Sequence, residues 1–264
     1  MSPVTLTTEW KPDDIYHGII KGKLYSLCPG VTIIDNACNI RPFDILHASF
    51  VVRNTYMNYP KGSIHIICVH SEASEEQNYL IVKARDHFFI GTDNGIFSLI
   101  LNGEPDEAIQ IDKEEYLDEL DIFARAAADL LSGKKLKEIG KPVREIHERV
   151  PLRATIEKET ITGSIIFIDS YGNAISNITR EVFMRVFEGK EYLILVQSNR
   201  NHTDKIVRKY SDVPVGDMLT RFNSLDLLEV AINGENISNL YSLEIGTVVR
   251  IDHPHKTTSP DRLF

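Results

Sequence analysis

The stretch GSIIFIDSYGNAISNI, residues 163–178, carries a strand signal that ends abruptly in a polar turn. Ile165, Ile166, Phe167 and Ile168 are β-branched or aromatic and follow a glycine, which fits a buried strand better than one helical turn. Asp169-Ser170-Tyr171-Gly172-Asn173 then sets a carboxylate, an aromatic face, a residue free to take positive φ and an amide side by side. Two readings fit: a β-turn whose Asp and Asn bond their own backbone, or a cradle for a base or sugar. Asn177 repeats the amide, and TDNG at residues 92–95 is a second polar turn after another apolar run.

Around this stretch, short apolar runs at 161–168, 192–197, 227–232 and 247–251, with a helix at 179–187, predict an antiparallel barrel or sandwich. Toward the N-terminus the rhythm differs. Strands at 4–8, 31–35 and 63–70 alternate with helices at 15–28 and from Pro42-Phe43-Asp44 to about 58, the pattern of parallel βαβ units whose ligands sit at the C-terminal strand ends. Strands at 79–84 and 87–91, a helix from Ile96 and a helix over 114–133 follow. A charged stretch from Gly140-Lys141-Pro142 to Thr155 reads as a linker. The expected fold is an α/β N-terminal domain with a mostly parallel sheet, residues 1–150, and a smaller C-terminal all-β, barrel-like domain, residues 151–264.

With 42% apolar and 25% charged residues in 264, the chain has a globular composition. Its net charge of −9 argues against a nucleic-acid partner. MSPVTLTTEW has no apolar signal core and no apolar run approaches the roughly 20 residues that span a bilayer, so a cytoplasmic protein without membrane contact is expected. Cys28, Cys38 and Cys68 are scattered in apolar sequence and read as reduced core thiols. No His, Cys and carboxylate cluster has metal-ligand spacing, and GxGxxG and GxSxG are absent.

The two polar turns, their order and their separation resemble the S-adenosylmethionine hydroxide adenosyltransferases, relatives of the fluorinase and chlorinase enzymes. Further matching segments are Leu6-Thr7-Thr8 with Asp13-Asp14, residues 18–22, Pro42-Phe43-Asp44, residues 60–63, and Asn223-Ser224 before the strand at 227–232. The resemblance implies a nucleoside site between subunits of a homotrimer, with S-adenosylmethionine as substrate and no cofactor. It gives ligand-binding roles to Thr8, Asp13, Phe43, Asp169, Tyr171, Asn173, Asn223 and Ser224: Phe43 stacking near the nucleoside, Asp169 meeting the methionine ammonium, Asn173 bonding the adenine edge.

Its catalytic positions are all substituted. Thr8 stands where the family holds the ribose with an Asp. Where the hydrolytic members carry an Asp, an Arg and a His, this chain has His70, Gln77 and Asp118, and residues 71–76 are an acidic loop. His70 and Asp118 form an exchanged imidazole–carboxylate pair or are surface residues of a decayed site; Lys21, Arg41, Lys83 and Arg85 are the candidates to replace the missing charge. Two functions follow: splitting of S-adenosylmethionine into adenosine and methionine by water attack at C5′, or binding of adenosine or a related nucleoside without turnover. Halogenation fits least, because Glu72, Glu75 and Glu76 oppose an anion. His65 reads as a packed or edge histidine, and His253 and His255 as solvent-facing.

Overall fold

The computed structural model describes residues 2–74, 77–101, 103–112 and 117–254. The predicted start of the helix at 114, Glu75 and Glu76 of the acidic loop, His255 and the rest of the tail lie outside them. The chain divides into two compact units between Pro151 and Leu152.

The first unit is built on β1 (Val4–Thr8), α1 (Ile15–Leu27), β2 (Ile33–Ala37), α2 (Ile45–Thr55), β3 (Ile64–Cys68), β4 (Tyr79–Ala84), β5 (His87–Thr92), α3 (Ile96–Leu101), β6 (Glu107–Ile111), α4 (Glu119–Leu131) and β7 (Gly140–Pro142). Its seven strands run in the order β2-β1-β3-β5-β4-β6-β7. The pairs β1–β2, β1–β3 and β3–β5 are parallel; β4, β6 and β7 add antiparallel pairs. Side chains alternate across the sheet. Along β4, Tyr79 and Ile81 join the layer that holds Leu24 of α1 and Phe123 of α4, while Leu80 and Val82 join the layer that holds Val52 of α2 and Phe97 of α3. Helices thus cover both faces, which explains why β1 and β3 are buried throughout.

Gly140–Pro142, expected to open the linker, is instead the edge strand β7 on β6. A Cβ on Gly140 would meet the Gln110 carbonyl oxygen at 2.1 Å, so a side chain is excluded there, and proline is tolerated at a sheet edge.

The second unit carries β8 (Thr155–Glu157), β9 (Thr160–Ile168), β10 (Ala174–Thr179), α5 (Arg180–Phe187), β11 (Leu193–Val196), β12 (Ser198–Thr203), β13 (Met218–Phe222), β14 (Leu227–Ile232), α6 (Ile237–Tyr241) and β15 (Val248–Asp252). Its antiparallel strands run β12-β11-β15-β9-β10-β14-β13, with β8 on β9. A bridge between Ile206 and Thr220 brings the chain after β12 onto β13, nearly closing a barrel. Inside are Ile161, Ile165, Ile194, Val230, Val249 and Ile251. His253 is not solvent-facing: its ring lies 5.1 Å from that of Phe187 and its Nε2 3.5 Å from Glu159 Oε2.

His65 is packed inside the first sheet. Its Nδ1 lies 2.8 Å from Thr5 Oγ1, its Nε2 3.1 Å from His87 Nδ1, and its ring stacks 5.1 Å from Phe89. Burial, with His87 beside it, lowers its pKa from 6.5 to about 3. Between those values the unfolded chain binds the extra proton, so this site's contribution to stability falls as pH drops below 6.5. By pH 5 the loss from this site is about 2 kcal/mol. Thermal melts of His65→Gln from pH 7 to 5 should show a shallower decline than wild type; parallel slopes would refute a neutral buried His65.

Candidate functional site

The loops after β1, β2 and β3 meet at the C-terminal edge of the parallel strands. Glu9, one residue past β1, ties them together: its Oε2 accepts from the Phe43 amide at 2.7 Å and the His70 amide at 3.3 Å. Phe43 and His70 have φ of +65° and +48°, a left-handed conformation that costs a non-glycine residue about 1 kcal/mol. The carboxylate offsets that cost with charge-assisted bonds. Phe43 is left 69% exposed, with its ring 5.4 Å from the His70 imidazole at 88°.

TDNG proves to be a brace. Thr92 Oγ1 donates to the Ser71 carbonyl, and Asn94 Nδ2 donates to the His70 carbonyl at 3.0 Å while its Oδ1 accepts from the Ile96 amide. The turn therefore holds the His70 loop and caps α3.

This edge is acidic. The Cys68 thiol is pushed up by burial and by Glu119 and Glu9; the Tyr79 phenol is pushed up by burial and by Glu119, Glu72 and Asp118. Asp118 is exposed and caps α4, its Oδ1 accepting from the Asp121 amide at 2.8 Å. Among the described residues no hydrogen bond or ion pair joins it to His70, so of the two readings of these residues the paired one is not formed here. Gln77 is half-buried after the acidic loop. Thr8 is buried, its hydroxyl 3.4 Å from the Trp10 carbonyl, and Asp13 is exposed before α1.

Of the four candidate cations, Lys21 is paired with Asp35 at 2.7 Å. Lys83 lies over the Phe88 ring and Arg85 precedes β5, both toward the opposite end of the sheet. Arg41 alone shares the Phe43 loop, exposed two residues away.

In the second unit, Asp169 is consumed by its own turn. Oδ1 accepts from the Tyr171 and Asn173 amides at 2.9 Å each, and Oδ2 accepts from Asn173 Nδ2 at 3.0 Å. The backbone-bonded turn is thus formed, and it presents Tyr171 with 78% of its surface exposed. Asn223 Oδ1 likewise accepts from the Leu225 and Leu227 amides, and Ser224 is exposed at that hairpin tip.

Behind the 169–173 turn lies a network that sequence reasoning missed. Asn173 Nδ2 lies 3.5 Å from Tyr210 Oη, which donates to Glu229 Oε1 at 2.6 Å; the Arg221 guanidinium sits 4.9 Å from the Tyr210 ring centre. Burial and then Glu229 push the Tyr210 phenol up to about 12. The available signal was Glu229 itself, a lone carboxylate in the apolar run LLEVAI.

Residues 4–140 match the SAM hydroxide adenosyltransferase N-terminal domain and residues 163–250 the C-terminal domain of the same family. The chain is 23% identical over 251 residues to an (R)-S-adenosyl-L-methionine hydrolase of Methanocaldococcus jannaschii, covering 91% of this chain and 92% of that one. It is 25% identical over 268 residues to the hydrolase of the same name from Thermus thermophilus, covering 95% and 100%. An uncharacterized conserved protein from Thermotoga maritima shares the fold with a TM-score of 0.83 at 22% identity, over 94% and 99% of the two chains.

Gly172 fixes the 169–173 turn against α6. It has φ +82°, and a Cβ would lie 2.1 Å from the Asn236 side chain that caps that helix. Gly172→Ala combines backbone strain with a clash, so it should lower stability by about 2–3 kcal/mol in urea unfolding. A loss below about 0.5 kcal/mol would mean that the contact relaxes freely.

Proposed function

The chain belongs to the SAM hydroxide adenosyltransferase family, and from that membership we propose that it splits S-adenosylmethionine into adenosine and methionine with water as the nucleophile. The observation that carries the proposal is the Glu9 tie. It sets an exposed aromatic face and an imidazole 5.4 Å apart at the end of parallel strands where ligands bind.

Each part has a role in this reading. Phe43 and Tyr171 offer faces to the adenosyl group, and Asn173, Asn223 and Ser224 polar atoms to the nucleoside or the amino-acid end. Asp13 answers the ammonium. Glu9, Glu72 and Glu119 draw in the sulfonium. Water oxygen forms the bond to C5′ while the C5′–S pair returns to sulfur, which leaves as a neutral thioether. Positive charge therefore moves from sulfur to the attacking oxygen, and His70 takes the surplus proton. An acidic edge favours a cation at both ends of that path. It would repel a halide, which supports hydrolysis over halogenation.

A second reading, nucleoside binding without turnover, is favoured by the Asp118 cap: His70 gains no carboxylate partner from it. In either reading the family resemblance implies a homotrimer, which light scattering of the purified protein tests.

Purified protein incubated with S-adenosylmethionine should yield adenosine and methionine in equal amounts by chromatography. His70→Ala should cut turnover about 100-fold, as loss of a general base does, while calorimetric affinity stays within about threefold. Asp118→Asn, which keeps a capping side chain, should leave turnover nearly unchanged. Binding without products would establish the second reading; binding of neither S-adenosylmethionine nor adenosine would reject both.

A further inference from the structure

At the opposite end of the first sheet, an open cavity of about 260 Å³ is lined by Arg53, Asn54, Tyr56, Met57, Arg85, Ile100 and Leu101. Arg85 opens the turn between β4 and β5, and the turn's Asp86 carbonyl accepts from Gly62 just before β3. The cavity therefore lies beyond the N-terminal ends of the strands whose C-terminal ends carry His70, roughly 17 Å away along a five-residue strand.

Among the described residues no carboxylate lines the cavity. The neighbouring acids are committed elsewhere: Asp86 pairs with Lys61 at 2.8 Å, and Asp106 Oδ2 accepts from the Arg85 backbone amide. Among the described residues neither Arg53 nor Arg85 forms an ion pair. Arg85 Nη1 donates to Tyr56 Oη at 3.4 Å, so the phenol accepts there and keeps its own proton to donate. Asn54 Nδ2 gives one N–H to the Phe50 carbonyl and has a second left. Two guanidinium forks, a phenol and an amide thus present unused donors to one space, in a chain whose net charge is −9. Two cations lining one cavity favour an anion placed between them.

We propose that this cavity is a second binding site, independent of the adenosyl site, for a small organic phosphate. Guanidinium forks match phosphoryl oxygens bidentately. The space exceeds a bare phosphate, and its exposed lining is mostly polar, which suits a small hydroxyl-bearing organic part.

The test is calorimetric titration of the full-length protein with glycerol 3-phosphate, inorganic pyrophosphate and citrate at low chloride, for wild type, Arg53→Gln, Arg85→Gln and the double variant. Glycerol 3-phosphate should bind wild type with a dissociation constant below about 1 mM. Each single substitution should weaken it about tenfold, and the double should abolish it. Arg85→Lys, which keeps charge but loses the fork, should fall between wild type and Arg85→Gln. Phosphate should raise the wild-type Tm and leave that of the double variant unchanged. Equal binding by wild type and double variant, or no binding to wild type at about 10 mM, overturns the site. Citrate binding as tightly as glycerol 3-phosphate overturns its assignment to phosphate, and pyrophosphate binding far more tightly overturns the monophosphate.

Discussion

A single carboxylate, that of Glu9, holds the C-terminal edge of the parallel strands in its present form. Without its bonds to the Phe43 and His70 amides, two left-handed residues on separate loops would relax independently. Backbone strain persists only where neighbouring structure over-determines it. Here Glu9 acts from one side and Asn94, bonded to the His70 carbonyl, from the other. The exposed Phe43 ring is thus held in place from beneath, which limits the ordering that a flat ligand must impose when it stacks.

The two ends of this sheet are electrostatically opposite. Carboxylates of Glu9, Glu72, Asp118 and Glu119 act on Cys68 and Tyr79 at one end, and two guanidiniums that form no ion pair among the described residues share a cavity at the other. Both patches stand on loops and helix ends rather than strands. The strands between are filled with apolar side chains whose alternation is fixed by burial on both faces, so charge collects at the rims. The fold itself provides two separated sites of opposite sign.

Much of the fold was legible because burial writes a pattern. β1, β4 and β14 have the limits that their β-branched runs predict. Among the strands that escaped notice, β10 and β12 lack that pattern for identifiable reasons. β10 includes Ser176 and Asn177, whose side chains bond the Leu228 and Leu152 carbonyls inside the structure. β12, SNRNHT, is polar and mostly exposed, held by its ladder to β11. At the site, the Asp169 turn was legible down to its own hydrogen bonds, because Asx chemistry is local. Glu9 and Tyr210 were not, since each acts on partners more than fifteen residues away, and such a bond leaves no spacing to read.

Asp118 shows why matching positions do not transfer roles. Placed opposite His70 by resemblance, it suggests a catalytic pair with reversed polarity. In the fold it stands one residue before a helix whose first turn already carries Glu119 and Asp121, and a carboxylate there is drawn to the free amides of the helix start. In this fold the position therefore serves the backbone. What remains for chemistry at this edge is the His70 imidazole, the Phe43 face and a field of negative charge, a set that suits a cationic substrate and a neutral nucleophile.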